Sequence, residues 1–203
     1  MRRKLSQHTE WLSLVETSGP FLSVSVLESV FPQGLEKVDT PRKQRLRSAY
    51  EEWRDSVDED DSQLDKLHEA WLREVFDEFL EYKDSIRTPN KEEKEFTFNP
   101  IDHDVVFSPD LILQDSQNKT PLMFISVCSP DTDFEKANNK DDWPVSLPEK
   151  MIQLCRSYNV RLGMITNGEQ WMLINAPTGS SSSQVSWFAR LWFQEPFTLQ
   201  AFQ

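Results

Sequence analysis

Apolar residues recur at helical spacing through the first half of the chain and gather into short runs through the second. The best-marked series is Leu64, Leu67, Trp71, Val75, Phe79 and Tyr82, which predicts a helix over about 62–82. Thr40-Pro41 reads as another helix start, with Pro tolerated at the first helical position. That helix carries Leu46, Ala49, Tyr50 and Trp53 inward and runs to about Val57, before an acidic turn at 58–61. Upstream, Ser6 is positioned to cap a segment presenting Trp11, Leu14 and Val15, which Gly19-Pro20 breaks. A short helix after Ser23, with Val26, Leu27, Val30 and Phe31 inward, stops at Pro32-Gln33-Gly34. Residues 84–95 are polar, contain Pro89-Asn90, and predict a surface loop.

From Phe96 the period changes. Residues 105–113 and 122–127 read as strands joined by a polar loop over 114–121. A loop over 129–144 rich in Asp and Asn leads to a helix over 146–159 with Met151, Ile152, Leu154 and Cys155 inward. Two apolar runs, 161–166 and 170–175, flank Asn167-Gly168, the strongest short signal for a hairpin turn. A Gly/Ser-rich loop over 178–183 precedes a last strand over 185–193. Trp187, Ala189 and Leu191 alternate there with Phe188, Arg190 and Trp192, so both of its faces should be covered. A helix starting at Thr198 is cut short at Gln203, the mark of a truncated gene or of a fragment of a larger protein. The expected architecture is α+β, with a helical N-terminal half (1–95) packed on a mixed β-sheet core flanked by helices (96–203).

Charge narrows the partners. A net charge of −12 and a pI near 4.7 argue against binding nucleic acid through a general basic surface. DNA contacts would then come through a larger protein or complex. Cys128 and Cys155 lie in apolar surroundings and read as buried thiols of a reducing compartment. No apolar run is long enough to span a bilayer, and the basic start Met1-Arg2-Arg3-Lys4 is followed by polar residues, so no membrane partner and a cytoplasmic location are expected.

The candidate chemistry is sparse. His8, His68 and His103 are scattered and form no metal-ligand spacing. The 5 glycines leave no room for a phosphate-binding loop. Trp187-Phe188 and Trp192-Phe193 have few basic neighbours and read as packing residues rather than base-stacking platforms. Asp110 is the best single candidate, because it follows Pro109 between strand-forming residues. The run Asp131, Asp133, Glu135 and Lys136 reads as a solvated loop.

Pro109-Asp110, the buried strand that follows, the helix and the hairpin come in the order of a restriction-endonuclease-like core and resemble the frame of PD-(D/E)xK nucleases. The resemblance implies an acid and a lysine, one residue apart, at the end of the second strand. The acid would join Asp110 on a divalent metal and the lysine would orient the attacking water. Ile125 and Val127 stand at those two places, so Asp110 is expected to be vestigial as a metal ligand. An active Mg-dependent endonuclease would need a migrated acid, with Glu74 on the long helix as the candidate beside Asp110. Otherwise no cofactor is expected.

Two further stretches carry a second resemblance. His8-Thr9-Glu10-Trp11-Leu12-Ser13-Leu14-Val15-Glu16 with Ser18-Gly19-Pro20-Phe21-Leu22, and then Val30-Phe31-Pro32-Gln33-Gly34-Leu35, are similar to the N-terminal region of large bacterial restriction–modification-type DNA methyltransferases. That group includes type IIG-like enzymes and the adenine methyltransferase of the DISARM phage-defence system. Thr166-Asn167-Gly168 with Trp171 resembles a stretch of type I and type IIG nuclease domains. The chain contains no Asn-Pro-Pro-aromatic tetrapeptide and no Gly-rich cofactor loop, so methylation is not a property of these residues. The resemblance implies a catalytically inactive, nuclease-like domain of a restriction–modification or defence protein, used for scaffolding or DNA positioning alongside partners of that system. An acidic protein-interaction module unrelated to DNA is the remaining alternative.

Overall fold

The computed structural model describes residues 7–59, 62–137 and 142–203. Residues 1–6, with the basic start and the capping Ser6, the end of the acidic turn (60–61) and part of the 129–144 loop lie outside them. The protein is α+β: a seven-stranded mixed sheet with helices on both faces. In chain order its elements are α1 (Gln7–Leu12), β1 (Glu16–Ser18), α2 (Val24–Val30), α3 (Thr40–Glu59) and α4 (Leu64–Arg73), which continues as a π-helix (Glu74–Phe79). Then come β2 (Ile86–Arg87), β3 (Leu111–Gln114), β4 (Pro121–Val127), α5 (Leu147–Ser157), β5 (Leu162–Thr166), β6 (Gln170–Asn175), β7 (Ser183–Phe188), α6 (Ala189–Trp192) and α7 (Pro196–Phe202).

The strand order is β1-β7-β6-β5-β4-β3-β2. Among the described residues only β4 and β5 pair in parallel, which α5 makes possible as the crossover between them. Both edge strands come from the N-terminal half. β1 pairs with β7, and β2 pairs with β3. The expected loop over 84–95 therefore contains a strand. Its residue Arg87 donates to both carboxylate oxygens of Glu95, at 2.6 and 2.9 Å, and to Gln114 at 2.8 Å. Ile86 packs against the core while Arg87 is anchored by charge, and together they hold this short edge strand.

Alternation along the strands separates two cores. Met123, Ile125, Met164, Val185 and Trp187 face α1, α3, α4, α6 and α7, where Trp53, Trp71, Trp171 and Trp192 pack together. Ile112, Phe124, Ile165, Met172 and Ile174 face α5. Gly163 permits the close approach of α5 to β5, since a Cβ there would lie 2.5 Å from Met151 Cγ.

Several boundaries differ from expectation, among them the last helix, which starts at Pro196 rather than Thr198. The strand expected over 105–113 forms only from Leu111, with Phe107 held by an isolated bridge to Phe98. The helix from Thr40 is capped one residue earlier, because Asp39 Oδ1 accepts from the Arg42 N–H at 3.0 Å. The helix expected over 62–82 changes to π-helical hydrogen bonding at Glu74. The last strand stops at Phe188, where the Ala189 N–H donates to Glu169 O at 2.8 Å and the chain turns into α6. That turn carries Trp192 back into the core, with its ring 4.5 Å from that of Phe202. Trp187 stacks on Trp11 at 6.3 Å, so the aromatic run is packing material. No helix among the described residues is long and apolar enough to cross a membrane.

Candidate functional site

Asp110 lies just before β3, at the end of the sheet where β4 and β5 finish. Its backbone N–H donates to Ile125 O at 2.9 Å. Its carboxylate turns to the neighbouring strand, where Oδ2 accepts from the Val127 N–H at 2.8 Å and the Ser126 hydroxyl at 3.2 Å. The residues that face Asp110 are therefore Ser126 and, two further on, Cys128, whose thiol feels the Asp110 charge. Ile125 and Val127 point the other way. Ile125 is 0% exposed, and both belong to the core beneath α3 and α4. The β4 residues beside Asp110 are thus each one position on from Ile125 and Val127. The period of two along a strand sends neighbouring side chains to opposite faces, and the structure puts Asp110 on the face of Ser126.

The donor set does not suit a hard divalent cation. Such an ion needs two or more converging carboxylates or comparable oxygen ligands. Asp110 has a hydroxyl and a thiol as its neighbours on β4, and one of its own oxygens is already taken by β4. Burial pushes the Cys128 thiol up to about 12, with the Asp110 charge acting in the same direction. It is neutral at physiological pH and is neither a thiolate nucleophile nor a replacement for a lysine.

Glu74 is committed elsewhere. It begins the π-helical segment, and its Oε2 accepts from Arg45 Nη2 of α3 at 2.8 Å and from Nε at 3.1 Å. Arg45 also pairs with Glu78 at 3.1 Å. Among the described residues no three His, Cys, Asp or Glu side chains converge on a possible metal position.

The Thr166-Asn167-Gly168 turn is consumed by structure. Asn167 Oδ1 accepts from the N–H groups of Glu169 (3.1 Å) and Gln170 (2.8 Å). Its amide donates to Pro130 O and Thr132 O, fastening the loop that follows β4. Gly168 O accepts two indole N–H groups, from Trp71 at 2.8 Å and Trp171 at 3.0 Å. Glu169 accepts from the Tyr50 hydroxyl at 2.8 Å and from Arg190 at 3.0 Å. Burial first, and then the bond to Glu169, raise the Tyr50 phenol well above its ordinary range. Neither a family model, nor a curated protein, nor a solved structure matches this chain.

One surface feature escaped the sequence reasoning. A groove of about 1140 Å³ opens between α2, α7 and the sheet, floored by Met123, Met164, Leu173 and Trp187. Three large apolar residues of its lining are exposed: Val30 at 61%, Phe31 at 46% and Leu122 at 47%. Val26, Val30 and Phe31, all expected to point inward because their spacing fits a helix face, are exposed. α2 ends at Val30, and only Leu27 of that helix is buried.

Proposed function

We propose that this chain is a nuclease-like, catalytically silent domain of a bacterial restriction–modification or phage-defence DNA methyltransferase, with a scaffolding or DNA-positioning role in the cytoplasm. The observation that carries the silence is the pairing of Asp110 with Ser126 and Cys128. An acid and a lysine would be needed at those positions, and a hydroxyl and a neutral thiol stand there. The nuclease-like part rests on the order of elements: an acid-bearing helix, three antiparallel strands, a crossover helix and a parallel strand. The open apolar groove supports partner contact, since large exposed apolar patches usually mark interaction surfaces. With a charge of −12, DNA would be reached through a larger assembly.

The test is plasmid cleavage and Mn²⁺ titration on the wild type, Asp110→Asn and Asp110→Ala. No cleavage and no binding are expected in any of them. Cleavage by the wild type that disappears in Asp110→Asn would overturn the proposal and revive a shared metal with a migrated acid. A positive arm uses Ser126→Asp, which sets a second carboxylate beside Asp110 and should create Mn²⁺-dependent thermal stabilisation. Ile125→Asp buries a charge in the apolar core and should abolish folding instead. Tight binding to a basic protein, with no DNA affinity at low salt, would favour an acidic interaction module unrelated to DNA.

A further inference from the structure

The His68 ring is held between three elements. It projects from α4 and contacts the Trp53 ring of α3, with centroids 5.8 Å apart. It also lies under the β5–β6 turn, where a Cβ on Gly168 would be 3.0 Å from His68 Cε1. Its Nε2 is 3.1 Å from Cys128 O, just past the end of β4. A carbonyl only accepts, so Nε2 carries the proton and Nδ1 holds a bare lone pair. Nδ1 is buried and, among the described residues, has no hydrogen-bond partner.

We propose that His68 is an acid-sensitive latch that seats α4 on the end of the sheet beside Asp110. A second proton would have to go on the buried Nδ1, where no acceptor waits among the described residues. The charged ring is therefore disfavoured in the packed position, and protonation favours release of α4 from the turn and from Cys128. α3 and α4 both carry many charges, and one of them acts on the ring. Asp65, one turn earlier on α4, is the acid that acts on it, and it opposes the effect. Cys128 stays neutral, Asp110 is bound to β4, and Glu169 is held by Tyr50 and Arg190. α3 presents an uncharged indole. Burial is the largest influence on His68 and lowers its proton affinity.

The sign follows from linkage. Above about pH 6.5 His68 is neutral in both the folded and the unfolded chain, and the latch is fully closed. As pH falls below that value the unfolded chain gains a proton that the folded one resists, so stability declines toward the lowered folded value.

The experiment has two parts on the full chain. The first is nitrogen-detected NMR of the imidazole across pH 5–8. It should show His68 as the Nε2–H tautomer, titrating below a histidine in the urea-unfolded chain. An Nδ1–H tautomer, or titration at or above the unfolded value, would overturn the proposal without any variant being made. The second is hydrogen exchange, corrected for intrinsic rates, on the wild type and His68→Gln between pH 7.5 and 5.5. The wild type should lose protection several-fold over Leu64–Arg73 and the 166–170 turn, while His68→Gln, which cannot titrate, should show no pH-dependent loss there. An equal loss in both proteins would assign the effect to other groups and overturn the latch.

Discussion

At the residue scale, burial decides which reactive side chains are chemically available. Burial pushes the Cys155 thiol, like that of Cys128, up to about 12. Alkylation follows the thiolate fraction and access, so both should resist iodoacetamide at pH 7.5 and react only with unfolding. Mass spectrometry of labelled peptides checks this, and rapid native labelling of Cys128 would mean that its surroundings open in solution and leave the thiol accessible. Asp110 illustrates the complementary case. It looks like a ligand in sequence, yet it satisfies a backbone donor of β4, and leaving that partly buried N–H unpaired in Asp110→Ala should cost roughly 1–3 kcal/mol.

At the scale of the element, the β5–β6 turn organises its surroundings. Asn-Gly spacing accounts for the hairpin, but the turn also anchors the loop after β4 through Asn167 and receives two tryptophan N–H groups at Gly168 O. Gly168 itself has φ +88°, the left-handed region, and a Cβ there would meet Trp53 Cζ2 at 2.7 Å. Gly168→Ala combines backbone strain of about 1–2 kcal/mol with a steric conflict against a packed indole. Its urea midpoint should drop clearly, and an unchanged midpoint would mean that Trp53 moves freely. The same turn shows why α3 and α4 sit where they do. Tyr50, Trp53, His68 and Trp71 all reach it from the two helices.

For the whole molecule, the sheet closes at both edges with N-terminal segments, so residues 1–95 and 96–203 share one sheet. The β2 edge depends on a charge pair. Its hydrogen bonds to Arg87 hold the Glu95 carboxyl down to about 2, with the Asn90 N–H helping and partial burial opposing. A carboxylate with a lowered folded value stabilises the protein above its ordinary value near 4.5 and loses that contribution as pH falls toward 2. Arg87→Met should therefore flatten the stability profile between about pH 4.5 and 2, as followed by circular dichroism. The pair is partly exposed, so the effect should also shrink at high salt.

Local pattern was enough for several elements, because their signals are short-range. The amphipathic spacing of Leu64, Leu67 and Trp71, the Asn167-Gly168 hairpin, the helix after Ser146 and the apolar run of β4 all describe themselves within a few residues. The mixed α+β class followed from the change of period near Phe96. Tertiary structure decided the rest, because it depends on partners distant in the chain. Glu16–Ser18 and Ile86–Arg87 are strands only because β7 and β3 offer them unpaired edges. Asp110 faces Ser126 and Cys128, not Ile125 and Val127, because strand register, which spacing alone leaves open by one residue, sets the face. The separate commitments of Glu74 to Arg45 and of Asp110 to β4 belong to that same long-range geometry.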